Sequence, residues 1–182
     1  MHLGQGSISL CLLIMIKLRK IKQQDLSILR DWRNSKEIFP FNSQFSLLNM
    51  IDQKKWFAEI DKKKSDRKMF MITLNKKTIG VGGLIQHDVK NKSADIAIII
   101  GERKSHGKNY GTQSLQKLVE YGFNNLNLHR IGAEIFEFNK ISVKLFEKLN
   151  FKHEITLRDV LWRDGRYWNV LGYSLLNNKF SN

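Results

Sequence analysis

Cysteine is almost absent from this chain of 182 residues, Cys11 being the only one. No intramolecular disulfide can form, and a reducing compartment, the cytoplasm, is the expected setting. The five histidines, His2, His87, His106, His129 and His153, show no metal-ligand spacing, so no metal is expected. Ile8 to Ile16 is apolar apart from Ser9, but it falls far short of the ~20 residues that span a bilayer and has no basic segment ahead of it. Neither a membrane span nor a signal peptide is expected. Acidic residues are scarce as well: 17 Asp and Glu face 31 Lys and Arg, a net charge of +14. Such a surface attracts polyanions. The basic residues are scattered in short groups, Lys17 to Lys22, Lys62 to Lys68, Lys76 to Lys77 and Arg103 to Lys108, which favours a solvated basic surface over a dedicated nucleic-acid site.

What is present is the composition of one globular domain. Met15 opens a segment that reads as a first strand, Ile16 to Ile21, so residues 1–14 are expected to be an extension and residues 15–178 the domain. Leu26, Leu29 and Trp32 mark a helix over 24–34, and Leu47, Met50, Phe57 and Ile60 a second over 46–61. The sole proline, Pro40, lies between them. Two strands over 68–74 and 78–85, joined by a polar turn, form a hairpin signal. The nearly unbroken apolar run Ala94 to Ile100 suits a central strand covered on both faces. Beyond Gly107 the spacing of Leu115, Leu118, Val119, Gly122 and Leu126 is helical. A strand over 130–136, a helix over 141–149 and strands over 151–157 and 167–175 complete a mixed α/β order.

A buried strand that feeds a glycine-containing turn and then a helix aims unpaired amides and the positive helix end at one point, an anion site suited to phosphate. Arg103, Lys104 and Lys108 lie beside it. The spacing excludes a P-loop, because Gly101 precedes Gly107 by five intervening residues and Asn109 follows Lys108. Gly80 and Gly82 fail as a dinucleotide fingerprint, since Ile85 holds the third glycine's place; they read as a strand bulge.

The run Ala94 to Leu115 resembles motif A of the GNAT superfamily of N-acetyltransferases, whose signature is Gln or Arg, two residues, Gly, one residue, then Gly or Ala. Here it reads His106-Gly107-Lys108-Asn109-Tyr110-Gly111. His106 replaces the usual Gln or Arg, and Asn109 the central glycine, implying an Asn at positive φ or a slightly different turn. Leu128 to Asn139, Ser142 and Leu145 to Phe151 resemble the superfamily's fifth strand and motif B. Trp32-Arg33-Asn34, Trp56-Phe57, Leu157-Arg158-Asp159 and Gly165 to Val170 extend the resemblance over about residues 16 to 176, towards the branch of ribosomal-protein N-terminal and amino-sugar acetyltransferases.

That resemblance implies a mixed, mostly antiparallel sheet of six to seven strands flanked by four helices, with the fourth and fifth strands splaying apart after Ile98 to Ile100. Acetyl-CoA would enter the cleft, its pantetheine pairing with the fourth strand, its pyrophosphate on the amides from Gly107 through Lys108, Asn109, Tyr110 and Gly111 to Thr112, with His106 alongside and Asn139 with the helix after it on the other side. A backbone donor near Ile98, Ile99 and Ile100 would meet the thioester oxyanion. Phe146 stands where many members carry a Tyr that protonates the thiolate; it is expected to wall the cofactor, with water as the acid.

Two strand carboxylates, Glu134 and then Asp95, are the candidates for taking the amine's proton, with burial expected to raise their pKa values; structural pairing with a nearby cation is the competing reading. Trp32, Arg33 and Asn34 are expected at the acceptor mouth, where Arg33 would hold an acidic group. The acceptor is expected to be a small-molecule or peptide amine, first a nucleotide-linked amino sugar, with a protein N-terminal or other amine as the alternative. A non-catalytic module binding RNA or ribosomes is the reading from another class. Oligomeric state is not legible.

Overall fold

The computed structural model describes residues 15–180, so the expectation for residues 1–14 lies outside the described residues. Among them run β1 (Ile16–Lys20), α1 (Leu26–Asn34), α2 (Met50–Ile60), β2 (Lys68–Leu74), β3 (Lys77–Asp88), β4 (Ser93–Ile100), α3 (Tyr110–Asn125), β5 (Arg130–Phe136), α4 (Lys140–Lys148), β6 (Lys152–Arg163) and β7 (Arg166–Leu176). The strands form one seven-stranded sheet in the order β1-β2-β3-β4-β5-β7-β6. Every neighbouring pair is antiparallel except β4 and β5.

Strand alternation distributes the apolar side chains to two layers. On one face Leu84, Ile96, Ile131, Ala133 and Ile135 pack with Leu115 and Leu118 of α3 and Phe146 of α4. On the other, Met71, Val81 and Ile99 pack with Leu26, Leu29 and Trp32 of α1 and with Met50, Trp56, Phe57 and Ile60 of α2. Because β4 contributes to both, its unbroken apolar run is accounted for. A Cβ on Gly122 would lie 2.9 Å from Ile131 and 3.0 Å from Leu84, so this glycine sets how closely α3 approaches the sheet.

Three boundaries differ from the sequence reading. Helix α2 begins at Met50 rather than near Ser46, because Asn49 caps it through Ile51 N and Asp52 N while Asp52 accepts from Asn49 N. Just before that cap, the Asn34 carboxamide bonds both N and O of Leu48, which holds the preceding chain off helical geometry. Strand β3 continues to Asp88 past an irregularity between Ile85 and Asp88. Strand β6 runs on to Arg163, since pairing lost after Leu157 resumes at Leu161 across a bulge containing Asp159 at φ +53°. The bulge expected near Gly80 is found: Ile72 pairs with Gly80 and Thr73 with Thr78, leaving Ile79 as the extra residue.

The fourth and fifth strands do splay, but sooner than expected. Only Ser93, Ala94 and Asp95 pair with β5, opposite Arg130, Ile131 and Gly132. The cleft therefore opens after Asp95 and not after Ile98. From Ile96 to Ile100 the strand remains paired with β3 on one edge and lacks ladder partners on the other.

Candidate active site

The turn between β4 and α3 is built from two left-handed residues, Gly107 at φ +71° and Asn109 at φ +63°. Asn109 thus takes the positive-φ form of the turn, a conformation Asn tolerates better than most side chains. No atom lies within 4 Å of a Cβ placed on Gly107, so the backbone angle alone requires glycine there. His106 folds back on the strand: its Nε2 lies 2.6 Å from Ile100 O and, facing a carbonyl, donates. Helical geometry leaves the first amides of α3, those of Tyr110, Gly111 and Thr112, without intrahelical acceptors. Opposite, Lys148 of α4 donates to Asn109 Oδ1 at 2.8 Å and ties the turn to that helix.

These elements wall a cavity of about 800 Å³. The turn contributes Ser105, His106, Gly107, Asn109, Tyr110, Gly111 and Thr112; β4 adds Ile99 and Ile100. Helix α4 and its cap supply Asn139, Ile141, Ser142, Lys144, Leu145 and Lys148, and the segment after α1 supplies Glu37, Ile38, Phe41 and Asn42. Asn139 also caps α4, its Oδ1 accepting from Ser142 N. Of the expected cofactor residues, Ile98, Lys108 and Phe146 are not in this lining. Ile98 points into the core layers, packed against the α3 side. Phe146 is 3% exposed and stacks edge-on with Phe151, because residues 141, 144, 145 and 148 take the cavity stripe of α4 and turn 146 toward the sheet. Helical phase, rather than the family position, decides which side chain faces the space.

Sequence reasoning placed the helix after Asn139 on this wall without naming the lining residues of its stripe, and it missed the segment 37–42. On the first of these, Ile141 is an apolar side chain left 82% exposed. The second depends on Arg163 at the end of β6, only 3% exposed, whose guanidinium donates to Pro40 O and Asn42 O and lies between the rings of Phe45 and Phe136, 4.3 and 5.1 Å from their centroids. It clamps the loop after α1 onto the far end of the sheet.

The three residues expected at the acceptor mouth behave differently from one another, and none lines the cavity. Trp32 packs in the α1–α2 core, its ring filling the space above Gly101, where a Cβ would come within 2.0 Å of it. Asn34 is committed to Leu48. Arg33 is half-buried, with its Nε shielded from solvent and lacking a hydrogen-bond acceptor.

Asp95, Gly132 and Glu134 share the sheet face that α1 and α2 cover. A Cβ on Gly132 would fall 2.3 Å from Asp95 Oδ1, so the glycine makes room for that carboxylate. Asp95 is half-buried; desolvation pushes its pKa up, against a smaller opposing pull from Arg130. Glu134, expected to be buried, is exposed instead, because it projects from β5 beyond the last rung shared with β4. Continuing that register places Glu134 level with Ala97, one residue pair (~7 Å) deeper into the opening than Asp95. Among the described residues no group of three or more His, Cys, Asp or Glu side chains is placed to hold a metal ion. No helix among them is long and apolar enough to cross a membrane.

Comparison with known proteins agrees with this geometry. A family model described as an acetyltransferase (GNAT) domain matches residues 16–152. An uncharacterised N-acetyltransferase of Bacillus licheniformis is 28% identical over 170 residues, 91% of this chain and 95% of that protein. Spermidine N(1)-acetyltransferase of Vibrio cholerae is 24% identical over 167 residues, 92% of this chain and 96% of the relative. The crystal structure of spermidine N-acetyltransferase from Vibrio cholerae in complex with CoA and spermine superposes with a TM-score of 0.83, at 24% identity, covering 92% of this chain and 98% of that one.

Proposed function

Because this chain belongs to the GNAT acetyltransferase family and is an N-acetyltransferase that uses acetyl-CoA, we propose that its cleft seats the cofactor with the pyrophosphate on the turn Gly107 to Thr112. The observation that carries this reading is the open β4 edge leading straight into a turn with Gly107 and Asn109 left-handed, at one wall of the 800 Å³ cavity. Free amides at the start of α3 face the anion, and Lys144 and Lys148 add charge from the opposite wall. Extended pantetheine adds to the unpaired edge of Ile96 to Ile100, whose amides then serve the thioester oxygen.

A primary amine approaches from the side of α1, the loop after it and β5. Glu134, or Asp95 through water, would take its proton as the nitrogen bonds to the thioester carbonyl carbon; cleavage of the C–S bond would release the amide and the CoA thiolate, which solvent would protonate, Phe146 being turned away from the cleft and without a proton to give. Spermidine, the substrate named for the Vibrio relative, is one acceptor to try. A nucleotide-linked amino sugar and a protein N-terminus are others.

The cofactor assignment is tested by calorimetry. Gly107→Glu inserts a carboxylate and a side chain where φ is +71° and where the anion would lie. Acetyl-CoA binding is expected to disappear while the circular dichroism spectrum persists. Undiminished affinity overturns the assignment.

A further inference from the structure

Arg33 lies on the sheet-facing stripe of α1, at i+7 from Leu26 and i+4 from Leu29, both of them buried. Its two neighbours have settled structural partners, but among the described residues no acceptor meets its Nε and no carboxylate pairs with it. Burial is what moves its pKa, downward; no acidic neighbour offsets the effect. A second guanidinium, that of Arg163, is buried against the same loop; its two terminal nitrogens donate to Pro40 O and Asn42 O, while its Nε, like that of Arg33, meets no acceptor. Its burial also lowers its pKa. Between residues 33 and 45 the sequence holds a single acid, Glu37, and Arg103 lies 3.4 Å from it.

A desolvated cation without a counter-ion is costly, and the cost is recovered when an anion arrives. We propose that Arg33 receives a carboxylate or phosphate of the acceptor, so that the amine acetylated by this chain belongs to a molecule that also bears an acid. This rests on the acetyl-CoA reading above. The same sheet face then divides the acceptor's two ends: Glu134 and Asp95 serve the ammonium, and the guanidinium serves the anion. A polyamine has nothing to offer Arg33 and would bring like charge to it. The acceptor class therefore differs from the spermine held in the Vibrio cholerae complex.

The test measures CoA release from acetyl-CoA with two matched pairs, glucosamine against glucosamine 6-phosphate and propylamine against β-alanine, and with spermidine. For the wild type, kcat/KM is expected to be at least ~10-fold higher for the acidic member of one pair, and the responding pair tells phosphate from carboxylate. Arg33→Gln should erase that preference, Arg33→Lys should keep part of it, and acetyl-CoA affinity should be unchanged in both. Equal or better use of spermidine or of the neutral partners overturns the inference, as does a preference that survives in Arg33→Gln. Should neither pair turn over, titration of the CoA-loaded wild type with glucosamine 6-phosphate and β-alanine decides: saturable binding lost in Arg33→Gln supports it, and no binding overturns it. Failure of acetyl-CoA itself to bind defeats the cofactor reading and this inference together.

Discussion

Glu134 and Asp95 share a face of the sheet but not an environment. Asp95 sits half-buried on the last rung that joins β4 to β5, whereas Glu134 stands exposed above the open cleft. Reach favours Glu134, since from Asp95 to Ile99 the strand climbs ~13 Å, too far for direct proton transfer at the thioester. Glu134→Gln is therefore expected to lower turnover by ~10² to 10⁴-fold at saturating acetyl-CoA, with a smaller loss for Asp95→Asn. Steady-state rates of the two variants check this, and the reverse order would make Asp95 the base. If Asp95 is the group that titrates, its raised pKa means the base form is lost at a higher pH than for an ordinary carboxylate, so the acid limb of the rate profile shifts upward.

At the scale of elements, the junction of β1 with α1 depends on Asp25. This residue, 6% exposed, accepts two hydrogen bonds of 2.7 Å from Arg19 and one of 2.8 Å from Lys22 N. The Arg19 bonds, more than the Lys22 amide, hold its pKa below the usual carboxylate value. A lowered folded-state pKa means the contribution to stability is complete above the unfolded value of ~3.9 and fades as pH falls through the folded one. Asp25→Asn should accordingly cost ~1–3 kcal/mol at pH 7, measured by urea unfolding, with wild type and variant converging below pH ~3. Equal stability at pH 7 would refute the role. The helical and strand periods that place these elements were legible in the sequence, as was the glycine-containing turn from β4 into α3, because each depends on neighbours within a few residues. What was not legible depends on distant partners. The start of α2 is set by Asn34 reaching Leu48, and the loop beside the cavity by Arg163 bonding Pro40, across 123 positions. Phe146 was misplaced for a related reason: family position named the residue, but packing against Phe151 fixed its direction.

Over the whole molecule, a net charge of +14 surrounds a site that is to receive a phosphorylated cofactor. Attraction at long range speeds encounter and is screened by salt, so most of this charge acts on approach rather than on the bound geometry. The sheet itself is the larger determinant. With three rungs linking β4 to β5, strands β1 to β4 and strands β5 to β7 meet within the sheet along one short seam, while α3 packs across both halves and Lys148 of α4 ties to Asn109 beside the cleft. A molecule laid between the halves as an extra strand would replace the missing rungs. Hydrogen exchange should register this as slowed exchange within Ile96 to Ile100 and in the first turn of α3 when acetyl-CoA is added, whereas Leu115 and Leu118, already deep in the core, change little. Unchanged exchange along β4 would mean that the cofactor does not bridge the gap. The seam thus makes the cofactor a part of the sheet's own mechanics: laid along β4, it would act as the clasp between two halves that share only three rungs of their own.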